Sequence, residues 1–218
     1  IRGAASGQTL VLIDGVSVSD PSTPGGEFDF SSLLSSNIER IEILKGSQST
    51  LWGSDAIGGV INIITTNKEI GPSIKLNTEI GSFNTQKIGA DLRYSNTVHN
   101  LYLSYNQFKS DGISKADKSD GNSEKDGIGS KSYLIKTDHK ISGFQISTNL
   151  NYRESDIDYD SFGFVTGVTD GDENTKGRQI NWALEAKKSF LDDRLTNTFS
   201  LSESEIDRKY YTCLLYTS

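Results

Sequence analysis

From Ser73 onward apolar and polar residues alternate with a period of two, in seven successive segments. Ile74, Leu76, Thr78 and Ile80 alternate with Lys75, Asn77 and Glu79; Ile88, Ala90, Leu92 and Tyr94 alternate with Gly89, Asp91 and Arg93. Leu101, Leu103 and Tyr105 follow, then Tyr133, Ile135 and Thr137. The clearest segment sets Phe144, Ile146, Thr148, Leu150 and Tyr152 against Gln145, Ser147, Asn149, Asn151 and Arg153. Ile180, Trp182, Leu184 and Ala186 oppose Gln179, Asn181, Glu185 and Lys187, and Leu195, Phe199 and Leu201 mark the seventh. Period two means a strand with one apolar and one polar face. Each segment is about 8 to 12 residues long, near the length a tilted strand needs to cross a bilayer.

A soluble antiparallel sandwich also alternates, so the pattern alone leaves two architectures open. Two features favour a membrane barrel. The polar face carries Lys, Asp, Asn, Gln and Arg, as a water-filled lumen requires. The connections also differ by rim: 96–99, 139–143 and 191–194 are short, whereas 109–130 and 155–177 are long and charged. Antiparallel turns alternate between rims, so both long connections share one rim, the asymmetry of outer-membrane barrels.

Residues 1–68 have a different texture. Leu10-Val11-Leu12-Ile13 reads as a short strand ended by the turn dipeptide Asp14-Gly15 and followed by Val16-Ser17-Val18. A loop from Ser19 to Asp29 holds Pro21, Pro24 and Gly25-Gly26, and Phe30 to Asn37 can form a helical turn. Ile38 to Leu44 alternates apolar and charged residues, a strand with one wet face; Ser47 to Ala56 can form a short helix. Gly58-Gly59 then leads into Val60-Ile61-Asn62-Ile63-Ile64, a buried strand. These elements make a compact α+β unit.

Composition removes several function classes. The chain has 218 residues, a net charge of −7, one cysteine and no methionine. One cysteine excludes a disulfide framework and a cysteine-based metal site, and the acidic balance argues against nucleic acid as a partner. A chain that opens on Ile1 without methionine is expected to have lost its start, any leader included. No apolar run of 18 residues exists, which leaves barrel strands untouched. The glycine-rich turn before Val60 lacks the Gly-Lys-Ser/Thr of a phosphate cradle, so its glycines read as structural.

Three stretches, "VLIDGV" (11–16), "IERIEILKG" (38–46) and "LWGSDAIGGVINIITT" (51–66), together resemble the plug domain of TonB-dependent outer-membrane receptors. The likeness runs to about Tyr211, with Ser47 where proline is usual and Trp52 where tyrosine is common. It implies a mainly β chain: a small α+β plug (1–68), then the N-terminal part of a transmembrane antiparallel β-barrel (69–211), about seven of the family's 22 strands. Residues 212–218, with Cys213, break the pattern and are expected to be a non-native tail. Within the family, "GSDAIGGVINIITT", "KDGIGSKSY" (125–133) and "NYRESDIDYDSF" (151–162) are most similar to the cobalamin (vitamin B12) receptors. The resemblance therefore implies uptake of a large, scarce nutrient across the outer membrane of a Gram-negative bacterium, cobalamin first and a ferric siderophore as alternative. It implies the TonB energy-coupling protein as partner, bound through a segment preceding residue 1. A soluble β-rich binding or adhesion domain is the reading from another class.

No catalytic set is visible, so an enzyme is not expected. His99 and His139 fall at short turns without a ligand partner at close spacing and read as solvated. By position the resemblance gives Asp20, Pro21, Ser22, Thr23, Gly25, Gly26 and Phe28 as a substrate-facing plug loop. The two long connections are acidic, and carboxylates converging on one rim suit Ca²⁺, which takes six to eight hard oxygen ligands. The resemblance to the calcium-ordered loops of cobalamin receptors places Asp111, Glu124, Asp126 and Asp160 on ligand positions.

Overall fold

The computed structural model describes residues 3–18, 28, 30, 38–64, 70–114, 125–163, 167–191 and 194–211, the side chains of 6, 161–163 and 167–172 excepted. The described residues form two sheets. The first has four strands in the order β2-β1-β4-β3, with β1 (Thr9–Ile13), β2 (Val16–Ser17), β3 (Arg40–Lys45) and β4 (Gly59–Ile64). The β1–β4 pairing is parallel, with Leu10 opposite Val60 and Ile13 opposite Ile63; β2 and β3 pair antiparallel to β1 and β4. A one-turn helix α1 (Ser49–Trp52) and a 3-10 turn (Ser54–Ala56) carry the chain into β4.

Both faces of β1 and β4 are covered, so the run of apolar residues predicted there has two cores to fill. Leu10, Leu12, Ala56 and Val60 make one. Val11, Ile13, Val18 and Ile63 make the other, with Phe28, Ile38 and Ile61 packed on it. The glycines before β4 have a steric reason. A Cβ on Gly58 would lie 2.7 Å from Ala4 Cβ and 3.0 Å from the Gln8 carbonyl oxygen, and Gly59 has φ +143°. β3 departs from its expected single wet face. Among the described residues it is the edge strand, paired with β4 alone, and Ile41, Ile43 and Leu44 stay 42–53% exposed.

The second sheet has seven antiparallel strands in strict chain order: β5 (Gly71–Gly81), β6 (Thr85–Ser95), β7 (His99–Ser110), β8 (Ile128–Ile141), β9 (Phe144–Gly163), β10 (Gly167–Phe190) and β11 (Leu195–Tyr211). Register fixes what each face presents. Leu103, Ile135 and Leu150 lie in one cross-strand row; Asn106, Ser132 and Arg153 lie in a row on the opposite face. Burial is inverted relative to a water-soluble sheet. Ile74, Leu76, Ile80 and Phe199 are 62–83% exposed, whereas Ser104, Asn106, Ser132, Asn151, Arg153 and Asn181 are at most 6% exposed. No helix among the described residues is long and apolar enough to cross a membrane; the apolar sheet face is the surface suited to lipid.

The sequence reading of 155–177 as a loop is corrected. β9 and β10 run on as a paired ribbon to Gly163 and from Gly167, with an irregularity between Thr169 and Glu173. Ile157 and Tyr159 keep the period of two through the acidic stretch, where Asp156 pairs across the strands with Lys176 and Asp158 accepts from Asn174.

Candidate functional site

The Asp14-Gly15 turn projects one carboxylate out of the small sheet. Both residues take positive φ, +52° and +84°, as a tight hairpin turn of the primed kind requires. The turn is anchored from below: the Asp14 amide donates to the Ile63 carbonyl at 2.9 Å and the Gly15 amide to Asn62 Oδ1 at 3.2 Å. Asp14 then meets the polar face of the large sheet. Lys136 Nζ on β8 lies 2.8 Å from Asp14 Oδ1, and Asn149 Nδ2 on β9 donates to Oδ2 at 3.4 Å. The two charged side chains are 8% and 19% exposed, so the pair is largely desolvated.

Around it, Ile13, Val16 and Val18 lie against Asn149, Asn151, Asn181 and Ala183. Arg153 sets its guanidinium 5.8 Å from the ring centre of Phe28, which packs edge-on to Phe30 at 5.0 Å. The four-stranded unit thus rests on the polar side of a sheet whose other side is apolar, as a plug rests against a barrel wall.

The predicted substrate loop is placed only in part. Phe28 is half-buried in the small sheet's core; Asp20, Pro21, Ser22, Thr23, Gly25 and Gly26 lie outside the described residues.

Of the predicted metal ligands, Asp111, Asp126 and Asp160 lie at one rim among the described residues. The Asp111 amide donates to the Phe83 carbonyl at 2.9 Å and the Asp126 amide to the Ile113 carbonyl at 3.4 Å, so the two ends of the 111–127 connection run side by side. Asp126 is 6% exposed. Asp158, whose amide donates to the Gly127 carbonyl at 2.9 Å, comes alongside from β9, where Asp160 follows two residues on. Glu124 is outside the described residues. The donor set is of the hard-oxygen kind that Ca²⁺ takes, yet the carboxylates already have protein partners. Lys125 Nζ is 3.4 Å from Asp111, and Asn174 Nδ2 donates to Asp158 Oδ1 at 2.7 Å. Lys176 and Arg178 pair with Asp156 and Asp207 at 3.4 and 3.3 Å. Among the described residues no three carboxylates, imidazoles or thiols converge as a metal-binding group.

Below this rim the apolar face carries a row of tyrosines: the rings of Tyr105, Tyr133 and Tyr152 meet at a tilt, 5.1 and 5.9 Å between centres, and the Tyr152 hydroxyl donates to Glu154 at 2.6 Å. Aromatic rows with polar tips mark a membrane–water boundary. From Phe144 to Tyr152, nine residues and eight steps of tilted strand rise about 21 Å, close to the height of a barrel's apolar band.

A family profile described as TonB-dependent Receptor Plug Domain matches residues 1–60, which hold β1 to β3 and the start of β4 of the docked unit. Residues 1–60 are a plug domain of the TonB-dependent receptor kind. This plug lies on the polar face of the seven-stranded sheet, and TonB-dependent receptors, which the chain resembles, are outer-membrane proteins. The vitamin B12 transporter BtuB of Photobacterium profundum is 25% identical over 213 residues, 97% of this chain and 34% of that protein. BtuB of Vibrio cholerae is 36% identical over 88 residues, 40% of this chain and 14% of that protein. This chain therefore spans about a third of the first of these relatives. Among solved structures, the ferric preacinetobactin receptor BauA of Acinetobacter baumannii superposes with a TM-score of 0.72 at 16% identity, over 96% of this chain and 32% of that one. The ferric-catecholate import receptor Fiu of E. coli K12 gives 0.71 at 15% identity, over 96% and 33%. At those identities the two structures share the fold alone.

Sequence reasoning missed two contacts. The Asp14–Lys136 pair joins residues of different sheets and leaves no local signal. His99 and His139, read as separate turn residues, stand opposite each other in the β7–β8 register.

Proposed function

We propose that this receptor takes up a large, scarce nutrient, a cobalamin, across the outer membrane in a TonB-dependent step. The observation that carries the reading is the plug held on the lumen wall through Asp14, Lys136 and Asn149. A lumen closed in this way passes solute only if the plug shifts, and in this reading an energy-coupling partner supplies the work of parting the Asp14, Lys136 and Asn149 contacts together with the packing around them. The name of the relative aligned over 97% of the chain supports cobalamin as the ligand. An amide-rich lumen wall of Asn106, Asn149, Asn151 and Asn181 suits a large polar ligand, whose orientation is set by hydrogen bonds.

Within this reading Ca²⁺ orders the external rim by competing with Lys125 and Asn174 for the carboxylates of Asp111, Asp158 and their neighbours Asp126, Asp160 and Glu124. The plug loop 20–28 contributes ligand contacts. The resemblance supports both, and the oxygen-rich rim supports the first.

The test is equilibrium binding of cyanocobalamin and of a ferric catecholate to the full-length receptor in micelles, with calcium and with chelator. Saturable cobalamin binding that weakens on chelation, and that loses its calcium dependence in Asp126→Asn/Asp160→Asn, is the expected result. Binding of the iron chelate alone overturns the cobalamin assignment and leaves the receptor reading standing.

A further inference from the structure

His99 and His139 are 40 residues apart in sequence, yet their Nδ1 atoms lie 2.9 Å apart and their rings meet at 5.1 Å between centres. The register explains the approach. The Lys140 amide donates to the Val98 carbonyl at 2.8 Å, which makes Val98–Lys140 a hydrogen-bonded pair and the adjacent His99–His139 a non-hydrogen-bonded one. Side chains approach most closely in pairs of the second kind. The backbone beneath is held by Asn96, whose side-chain oxygen accepts from the amides of Val98 and His99 at 2.8 and 2.6 Å. The pair is solvent-accessible, on the apolar side of the sheet, in register with Ile146.

We propose that His99 and His139 form a two-imidazole site for a borderline transition-metal cation, Zn²⁺, Cu²⁺ or Ni²⁺, at the short-turn rim of the outer wall. The argument is geometric. A cation about 2.05 Å from each of two imidazole nitrogens sets them about 2.9 Å apart at a right angle, and about 3.3 Å apart at the tetrahedral angle. The rings already stand at the first of these separations, on two paired strands, so little ordering remains to oppose binding. In the metal-free pair one Nδ1–H donates to the other Nδ1. On binding, that proton moves to Nε2 of its own ring. Both Nδ1 lone pairs then bond the metal, and two water molecules leave its hydration shell. No proton is released from the neutral pair. With two protein ligands the remaining coordination positions keep water, which makes the site open and exchangeable rather than a closed structural one.

The test uses full-length receptor in detergent micelles, stripped with chelator and then titrated with Cu²⁺ by electron paramagnetic resonance and with Zn²⁺ by calorimetry. One equivalent of Cu²⁺ coupled to two nitrogens is expected. His99→Ala and His139→Ala should each weaken binding by about tenfold or more, because the second ring acts as an intramolecular ligand at high effective concentration. His139→Asn keeps a hydrogen-bonding side chain and should lose the metal as fully as His139→Ala, while the strand signal in far-ultraviolet circular dichroism confirms that each variant folds. The proposal is overturned if the double alanine variant binds as tightly as the parent with the same signal. It is equally overturned if the parent shows a single coupled nitrogen or binds neither metal, in which case the pair is a hydrogen bond only.

Discussion

Cutting the Asp14–Lys136 pair should loosen the plug without unfolding the barrel. At 2.8 Å the attraction between the two charges is about 6 kcal/mol at an effective dielectric constant near 20. Desolvation offsets much of this, since the side chains are only 8% and 19% exposed. The net worth of the pair is therefore small, but removing one partner leaves the other charge buried, which costs about 3 kcal/mol or more. Asp14→Asn keeps an acceptor for Asn149 and tolerates the left-handed backbone of the turn, where φ is +52°. Lys136→Met keeps the length of the side chain. Each single variant should raise amide exchange in residues 9–18 by about 150-fold, the equivalent of 3 kcal/mol of local opening. The double variant should return to within about tenfold of the parent, because no unpaired charge remains. The assay is hydrogen exchange by mass spectrometry on the full-length receptor, with barrel peptides as internal reference. Additive effects in the double variant, or no change in either single one, would refute the docking argument.

Leu150→Arg, in the apolar row between Ile135 and Trp182, should destabilise the barrel by about 2–4 kcal/mol, and Ser147→Arg on the lumen face far less; denaturant titration in bilayers reads both. Ile63→Ala removes a fully buried side chain and should cost the plug about 2–5 kcal/mol, whereas Ile41→Ala, 52% exposed, should cost less than about 1 kcal/mol; exchange of plug amides separates them. Gly58→Ala forces a methyl to within 2.7 Å of Ala4 Cβ and should cost about 1–3 kcal/mol by the same measure.

The barrel strands were legible because a wall with lipid on one side and water on the other imposes strict alternation, and residues 144–152 obey it without exception. The plug strands were legible from continuous apolar runs, which a strand covered on both faces needs. The β9–β10 ribbon was obscured by its own charges. Asp156, Asp158 and Asp160 look like a solvated loop until Lys176 and Asn174 are set opposite them. The His99–His139 pair and the Asp14–Lys136 contact depend on register and on docking, neither of which a local pattern encodes. The rim carboxylates were found by residue type, but the Lys125 and Asn174 that hold two of them were not, because pairing there is set by which strand ends meet.

The two-sided wall with its plug is tested most directly by spin labels placed singly at positions 144 to 152 of the full-length receptor in outer-membrane lipid. The even positions should favour collision with oxygen, which concentrates in lipid. The odd positions should favour neither oxygen nor a water-soluble nickel reagent, 149 and 151 least of all, since the plug covers them. A flat profile, or oxygen preference at the odd positions, would contradict the account.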